Sequence, residues 1–467
     1  MRLSHDPLRI SAAFDDPNLV SRAGLAPVMA LAEQAGLQAL VRRHVAIAAK
    51  TGVYPDVKVG CLVAGMAAGA DSIDDMGLLR HGAMPELFDG VRAPSTLGSF
   101  LRSFTWGNAR QLEKVSRELL AELARLAPLL PGAGQLAFAD IDSMQRRVYG
   151  HKKQGAAFGH TKIQGKTVLV RGLNTLAATI CTPAAAPVIA GTRLRGGSAN
   201  TGRGAASFAA EAIGAARDAG CTGTIVTRAD SGFYTAAFIA ACRRAGAYFS
   251  VTARMDPAVT AAIASIPEDA WTAIKYPRAI WDSQLRCWVS DAEIAEIGYT
   301  AFASKKGQAI TARLIVRRVR DLNKKAAEGQ GELFPAWRYH PVFSDSPFQL
   351  APAEEQHRDH AVVEQVFADW TDGPLAHLPS GSFAANAAWL TCVAITCNLL
   401  RAAGCLASRF HARARGATIR ADLIDVAARL ARRGRSQLTL HLPQYWHRES
   451  EWLALFEAAC GPPARAA

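Results

Sequence analysis

Four acidic residues stand where the chain could assemble a catalytic site. Asp140 and Asp142 lie two apart in the strand-like segment LAFADIDS, so their side chains share one face of a strand. Asp230 ends the β-branched run TIVTRA, and Glu364 lies in HAVVEQVFADW, which has helical spacing. Three carboxylates from two strand ends and one helix could hold two Mg²⁺ ions, which take oxygen ligands. Two such ions would stabilise the attacking and leaving oxygens of a phosphoryl displacement.

Each of these acids also has a structural interpretation. A carboxylate at the edge of a buried element costs free energy unless it is paired, hydrogen-bonded or bound to a metal. A salt bridge would therefore explain any single one of them without chemistry. Residue types and spacing alone leave both interpretations open.

Hydrophobic periodicity divides the chain into five regions and predicts an α/β fold. Residues up to 130 have the spacing of amphipathic helices, and the Pro- and Gly-containing APLLPGAGQ follows as a linker. Strand-like runs then come in succession and afterwards alternate with helices, which indicates a mixed sheet. The predicted regions are a helical N-terminal region (1–130), the first part of the core (131–255), a mainly β insertion (256–350), the final core helices (351–403) and a basic helical C-terminal region (404–467).

Composition indicates a folded, basic protein. Half of the 467 residues are hydrophobic, which excludes a disordered or fibrous chain. The 53 Lys and Arg exceed the 40 Asp and Glu by 13, which suggests polyanionic partners, although a merely soluble basic protein would share this balance. Nine cysteines without paired spacing predict reduced thiols in a cytoplasmic protein. The apolar segment 383–400 contains Asn386 and Asn398, which favours a buried core helix over a membrane span.

Several motifs resemble those of insertion-sequence DDE transposases, and most closely the group 1 branch. They are ADIDSM, LRGGSANTGRGAASF, RADSGFY and HRDHAVVEQVF, which occur in that order, and the resemblance spans roughly residues 20–450. It implies a ribonuclease-H-like mixed sheet with the β insertion between the second acid and the final glutamate. It also implies that Asp142, Asp230 and Glu364 are the catalytic and metal-binding residues, with Asp140 as the alternative to Asp142. The implied cofactor is Mg²⁺, with Mn²⁺ as a substitute.

The resemblance implies a transposase that binds terminal inverted repeats, with a DNA-binding N-terminal region (1–130), cleaves DNA strands and transfers the freed 3′-hydroxyl. Its partners would be the double-stranded DNA of the element ends and of the target, bound by a homodimer in the bacterial cytoplasm. Two alternatives remain open: a nuclease that cuts without joining, and a catalytically silent DNA-binding protein. The family pattern also implies basic residues after the glutamate, where this sequence has Ala368 and Thr371.

Seven basic residues are candidates for DNA contact. Two lie in the glycine-containing stretch LRGGSANTGRG, which lacks the Lys-Ser/Thr pair of a nucleotide-binding loop. Two precede the glutamate, and three lie in an arginine-rich segment predicted as a helix, for which a solvated helix face is the alternative. Cations of this kind supply much of DNA affinity. The candidates are Arg195, Arg203, Arg358, His360, Arg429, Arg432 and Arg433.

Overall fold

The chain folds into a mixed α/β structure around one large sheet. The computed structural model describes residues 1–163, 166–277, 279–284, 286–320, 337–433 and 437–461. The predicted class is confirmed, since the strands form a large mixed sheet with helical regions on either side of it in the chain, consistent with a ribonuclease-H-like core. The polar loop at 323–332, predicted to lie inside the β insertion, falls outside the described residues.

Helices dominate the N-terminal region, as periodicity predicts. After the short strand β1 (Leu19–Val20) come α1 (Leu25–Gln34), α2 (Leu37–His44), α3 (Pro55–Ala67), α4 (Met84–Leu87), α5 (Pro94–Arg102) and α6 (Trp106–Leu126). The longest, α6, begins at a capping box in which Thr105 and Asn108 each accept a hydrogen bond from the other's backbone N–H. These helices share one hydrophobic core with the sheet, so they pack directly on the part of the molecule that carries the acids.

The first half of the sheet follows residue 135. Its elements are β2 (Leu136–Arg147), β3 (Ala157–Ile163), β4 (Lys166–Cys181), β5 (Val188–Gly196), α7 (Ala205–Asp218), β6 (Thr224–Ala229), α8 (Ala236–Arg244) and β7 (Tyr248–Thr252). The strands are ordered β5–β4–β2–β6–β7, with β3 also on β4. Strands β2, β4 and β5 pair antiparallel, whereas β6 is parallel to β2 and to β7. Neighbouring parallel strands bring their carboxyl ends to the same edge of the sheet.

The predicted β insertion continues this sheet rather than forming a separate layer. It contains α9 (Pro257–Ala264), β8 (Thr272–Ala273), β9 (Ile280–Asp282), β10 (Cys287–Val289), β11 (Ala292–Ala301), β12 (Ile310–Arg320) and β13 (Trp337–Ser344). Strand β13 pairs antiparallel with β7, and β12 and β11 follow it outward. The free edge of β7 is therefore covered, which satisfies its backbone hydrogen-bonding groups.

Helices return after the insertion. They are α10 (Leu350–Arg358), α11 (Val362–Thr371), α12 (Phe383–Ala407), α13 (Gly416–Ile419) and α14 (Glu449–Cys460). Among the described helices, α12 alone has the length and apolarity of a membrane span, and 78% of its most apolar window is buried inside the protein. Here the expectation of a buried core helix is confirmed. The cysteines whose side chains the structure describes are free thiols.

The helix predicted around Arg429 is wrong. Beyond α13 and a short π-turn at Arg420–Ile424, the chain forms β14 (Ala428–Arg433) and β15 (Gln437–His441). Strand β14 lies between β15 and β1, so the two ends of the chain share a small sheet. The physical reason lies in the stretch from Val426 to Leu430, where buried and exposed residues alternate with the two-residue period of a strand.

Candidate active site

Two of the predicted acids lie next to each other where the parallel pairing of β2 with β6 ends. The β-branched residues of TIVT favour strand β6, which lies beside β2 with Ile141 opposite Ala229. Continuing this register by one residue places Asp142 beside Asp230. The exposed Asp230 ends β6, and its Oδ1 accepts a hydrogen bond from the backbone N–H of Gly232 at 2.9 Å. The turn that follows β6 is thus capped by the acid itself.

Glu364 approaches the same place from α11. This helix buries Val363, Val366, Phe367 and Trp370 at three- and four-residue spacing, which turns Glu364 in its first turn outward to solvent. In the parts of the chain that the structure describes, no side chain forms a hydrogen bond or ion pair with the Glu364 carboxylate. The acid is therefore available to a ligand.

Asp142 is influenced electrostatically by both of the other acids. Burial first, and then the negative charges of Asp230 and Glu364, raise the pKa of Asp142 to about 6, against the hydrogen bond that its Oδ1 accepts from the Ser143 N–H at 2.6 Å. Like charges this close disfavour simultaneous ionisation. A bound cation would remove that repulsion.

Asp140, the alternative first acid, has a different environment. It is fully buried, and Arg228 donates to its two oxygens, from Nε at 2.6 Å and from Nη2 at 2.8 Å. His360 Nδ1 donates to Oδ1 of the same carboxylate at 3.0 Å. Burial opposes ionisation of Asp140, but Arg228 and His360 outweigh it and lower the pKa to about 2. Its oxygens are committed to protein donors, whereas the half-buried Asp142 remains open.

The ion pair also ties the strands to the segment that carries Glu364. Arg228 Nη1 donates to the carbonyl of Gln356 in α10, and the guanidinium lies 4.0 Å over the ring centre of Phe138. His360, in the 3₁₀ turn just before α11, completes the connection from Asp140. Sequence reasoning gave Arg228 no role, although its position two residues before Asp230 on a strand places both side chains on one face.

The basic residues before Glu364 are engaged by neighbouring side chains. Arg358 donates from Nε to Glu354 Oε2 at 2.9 Å. Burial disfavours the His360 cation, but the hydrogen bond and charge of Asp140 outweigh it and raise the pKa of His360. Its Nε2 is buried and has no hydrogen-bond partner among the described residues. The other histidine of this stretch, His357, is hydrogen-bonded to Ser250 and Thr252.

The remaining DNA-contact candidates are dispersed. Arg195 is buried and donates hydrogen bonds to Asn174 Oδ1 and to the carbonyl of Thr201, each at 2.9 Å, which stabilises the glycine-containing loop. Arg203 is exposed on that loop. Arg429 pairs with Asp16 at 3.3 Å and Arg432 pairs with Glu86. The side chain of Arg433 lies outside the described residues. The structure does not bring these residues into one patch, and their contact with DNA stays a prediction.

Comparison with known families settles the relationship that the motifs suggested. The model of the family Transposase DDE domain group 1 matches residues 4–459, which is nearly the whole chain. The chain belongs to this family. No curated protein shows significant similarity to it.

The donor set of this DDE transposase has the chemistry of a divalent-cation site. Its three acids offer carboxylate oxygens, the ligands of Mg²⁺, and burial together with the negative charges of Asp230 and Glu364 raises the pKa of Asp142. The side chains are not closed around one point, because no three His, Cys, Asp or Glu in the described ranges lie close enough together to hold a metal ion. Asp230 and Glu364 are both exposed, so rotation of their side chains toward Asp142 costs little packing.

Two positions downstream of the glutamate in this transposase provide no cation. Ala368 and Thr371 follow Glu364 by about one and two helical turns. The Thr371 hydroxyl donates to the carbonyl of Ala368 at 3.1 Å, within its own helix. Helix α11 therefore has no basic residue at these two positions, where the family pattern implies one.

Proposed function

We propose that this family member binds the terminal inverted repeats of an insertion sequence, cleaves the DNA strand there and transfers the freed 3′-hydroxyl to target DNA. The observation that supports the proposal is the place of Asp142 next to Asp230 where the β2–β6 pairing ends, with the negative charges of Asp230 and Glu364 both acting on Asp142. Acids at one edge of a sheet, without committed partners, suit the binding of a metal and a phosphate together.

Each side chain would have a distinct task. Asp142 and Asp230 would hold the metal from two adjacent strands, and Glu364 would hold it from the helix. Bound Mg²⁺ supplies Lewis-acid stabilisation of the attacking and leaving oxygens. His360 lies near enough for its charge to influence Asp142, and its buried Nε2 has no partner among the described residues. The protein itself positions the reactants and neutralises charge.

The test is metal-dependent cleavage by carboxylate variants. Asp142→Asn, Asp230→Asn and Glu364→Gln should each abolish cleavage of end DNA while leaving its binding in metal-free buffer nearly intact. Glu355→Gln is the matched control, because Glu355 is an exposed acid on the neighbouring α10. Retained cleavage in all three variants would overturn the proposal. Loss of cleavage in Asp140→Asn with retention in Asp142→Asn would instead assign the first position to Asp140.

The same assay separates the alternative functions. Joined products establish a transposase, cleavage without joining establishes a nuclease, and binding alone establishes a silent DNA-binding protein. The silent alternative is favoured by one observation, the lack of a cation at Ala368 and Thr371. The proposal further includes a bacterial cytoplasmic location and a homodimer on DNA. The mass of the protein–DNA complex in sedimentation would test the homodimer.

A further inference from the structure

Strands β3 and β4 form a ribbon that extends past the end of β2. Pairing of β4 with β2 stops at Gly172, opposite Arg147, whereas pairing of β4 with β3 continues to Lys166. Beyond that point the two strands pair with each other alone among the described strands. Two large apolar side chains face solvent on this ribbon, Phe158 at 64% exposure and Leu169 at 60%. Tyr149, just beyond β2, is 67% exposed.

A cleft opens between the ribbon and the segment that follows β2. Its volume is about 580 Å³, and it is lined by Arg147, Tyr149, His151, Phe158, Leu169 and Arg171, together with neighbouring backbone. The Arg147 guanidinium lies 5.0 Å from the ring centre of Tyr149. Arg171 donates to the carbonyls of Gly150 and His151 at 2.8 and 3.2 Å, so it shapes the cleft wall. Aromatic, aliphatic and cationic groups thus share one exposed surface.

The segment that contains the ribbon carries positive charge without acidic residues. Residues 143–210 contain ten Lys and Arg and no Asp or Glu, in a chain whose whole excess of positive charge is 13. Arg193 is paired with Glu211 at 2.7 Å. Among the other described cationic side chains of this segment, none lies within ion-pair distance of a carboxylate. Arg147, Lys152 and Arg203 are exposed and can meet an external anion. Arg146, Lys153 and Arg195 instead donate to backbone carbonyls.

We propose that this cleft and ribbon dock the DNA duplex whose scissile phosphate lies at the carboxylates. The inference rests on the proposed function and names a second contact for the same substrate. In the register of β2, β4 and β3, Phe158, Leu169 and Arg171 lie on the face of the sheet that carries Asp142. The cleft begins where β2 ends, five residues beyond Asp142, which is roughly 17 Å at about 3.3 Å per residue. At about 3.4 Å per base pair, the cleft meets the duplex roughly five base pairs from the cut.

Shape and charge both favour duplex DNA over another copy of this chain. A two-stranded β-ribbon has the dimensions that the major groove admits. Arginines would hold phosphates, and Phe158 and Leu169 would contact sugars and base edges. A symmetric dimer through this surface would instead set its unpaired cations against those of its partner, which repel.

The experiment measures duplex binding without metal, by fluorescence anisotropy across a salt series. Arg147→Ala should weaken binding and lower the salt slope by about one counterion unit, and Arg147→Lys should restore the slope. Phe158→Ala with Leu169→Ala should weaken binding at least threefold with the slope unchanged. The controls are Lys305→Ala, an exposed cation in the turn between β11 and β12, and Ile280→Ala on β9, 71% exposed.

DNA length gives the position of the contact. When the duplex is shortened to fewer than about five base pairs on one side of the cut, the affinity difference between Phe158→Ala/Leu169→Ala and the parent should vanish. Parent-like affinity in the cleft variants, or equal losses in the controls, overturns the proposal. A change in self-association without a change in DNA affinity assigns the surface to a second copy and also overturns it. This experiment measures DNA binding and not cleavage, so its result does not depend on the outcome of the cleavage assay with the carboxylate variants.

Discussion

Asp140 and Arg228 form a buried two-point ion pair directly across β2 and β6, with Nε and Oδ1 2.6 Å apart. Asp142 stands two residues further along the same strand face without a cationic partner at ion-pair distance in the described residues. The two aspartates share one face of β2, but the pKa of Asp140 is lowered and the pKa of Asp142 is raised. The ion pair of Asp140 therefore stabilises the fold, whereas the ionised carboxylate of Asp142 destabilises it.

The first prediction concerns the stability of the two aspartate variants. Asp140→Asn leaves the Arg228 guanidinium buried without its counter-charge, so the free energy of unfolding should fall by about 3–5 kcal/mol. Asp142→Asn removes a charge that the folded state penalises and should not lower it. Urea unfolding of both variants at pH 7.5, beside the parent, provides the comparison. Equal losses in the two variants would mean that the ion pair does not have the importance argued here.

The second prediction is the pH dependence of the stability gain in Asp142→Asn. The folded pKa of Asp142, about 6, lies above the 3.8 of an unperturbed aspartate, so ionising it costs stability as pH rises through this range. The penalty is absent below pH 4 and complete above pH 7, where it amounts to about 3 kcal/mol at most. Thermal unfolding should give Asp142→Asn a higher Tm than the parent at pH 8 and an equal Tm at pH 4. A pH-independent difference would contradict the raised pKa.

The third prediction concerns metal affinity rather than catalysis. Because protonation of Asp142 competes with a cation, Mn²⁺ binding to the metal-free chain should weaken as pH falls below about 6. Electron paramagnetic resonance of free Mn²⁺ measures this without DNA or turnover. Glu355→Gln should follow the parent, whereas Asp142→Asn should bind weakly at every pH. Tight binding by Asp142→Asn would place the metal elsewhere.

The fourth prediction concerns the helix that follows Glu364. Thr371 lies two turns beyond Glu364 and is partly exposed, so a lysine there can reach a phosphate without displacing core. Thr371→Lys should raise the single-turnover joining rate on matched end DNA. Arg358→Ala should lower that rate more than it lowers binding, while Glu354 keeps its second partner, Arg317. If neither rate changes, this helix does not hold the DNA end.

The fifth prediction separates Arg429 from Arg432. Three residues apart on β14, they point to opposite faces of the strand and pair with different acids, Asp16 and Glu86. One phosphate track therefore cannot engage both, and of the two single Ala variants at most one should lower the salt slope of DNA binding. Exposed ion pairs contribute about 0.2–1 kcal/mol, so neither variant should unfold. Additive slope losses would show that both contact DNA.

Local pattern in the sequence was sufficient for the elements around the site. The β-branched run before Asp230, the strand-like segment around Asp142 and the helical spacing around Glu364 each depend on a few neighbouring residues, and each element forms as predicted. The motifs RADSGFY and ADIDSM also indicated the family that the comparison shows. The helix predicted around Arg429 is wrong because pairing with β1, more than 400 residues away in the chain, stabilises a strand there.

Only the tertiary structure distinguished Asp140 from Asp142. The two share residue type, strand and strand face, and their difference comes from Arg228 on β6 and His360 before α11. Hydrophobic periodicity likewise did not predict that β13 pairs with β7 and extends the sheet. Charge pairing and strand order depend on distances between residues far apart in the chain, and a local pattern contains no such distances. The sequence by itself determined which residues could do chemistry, and the packing of β2, β6 and α11 decided which aspartate was left open to do it.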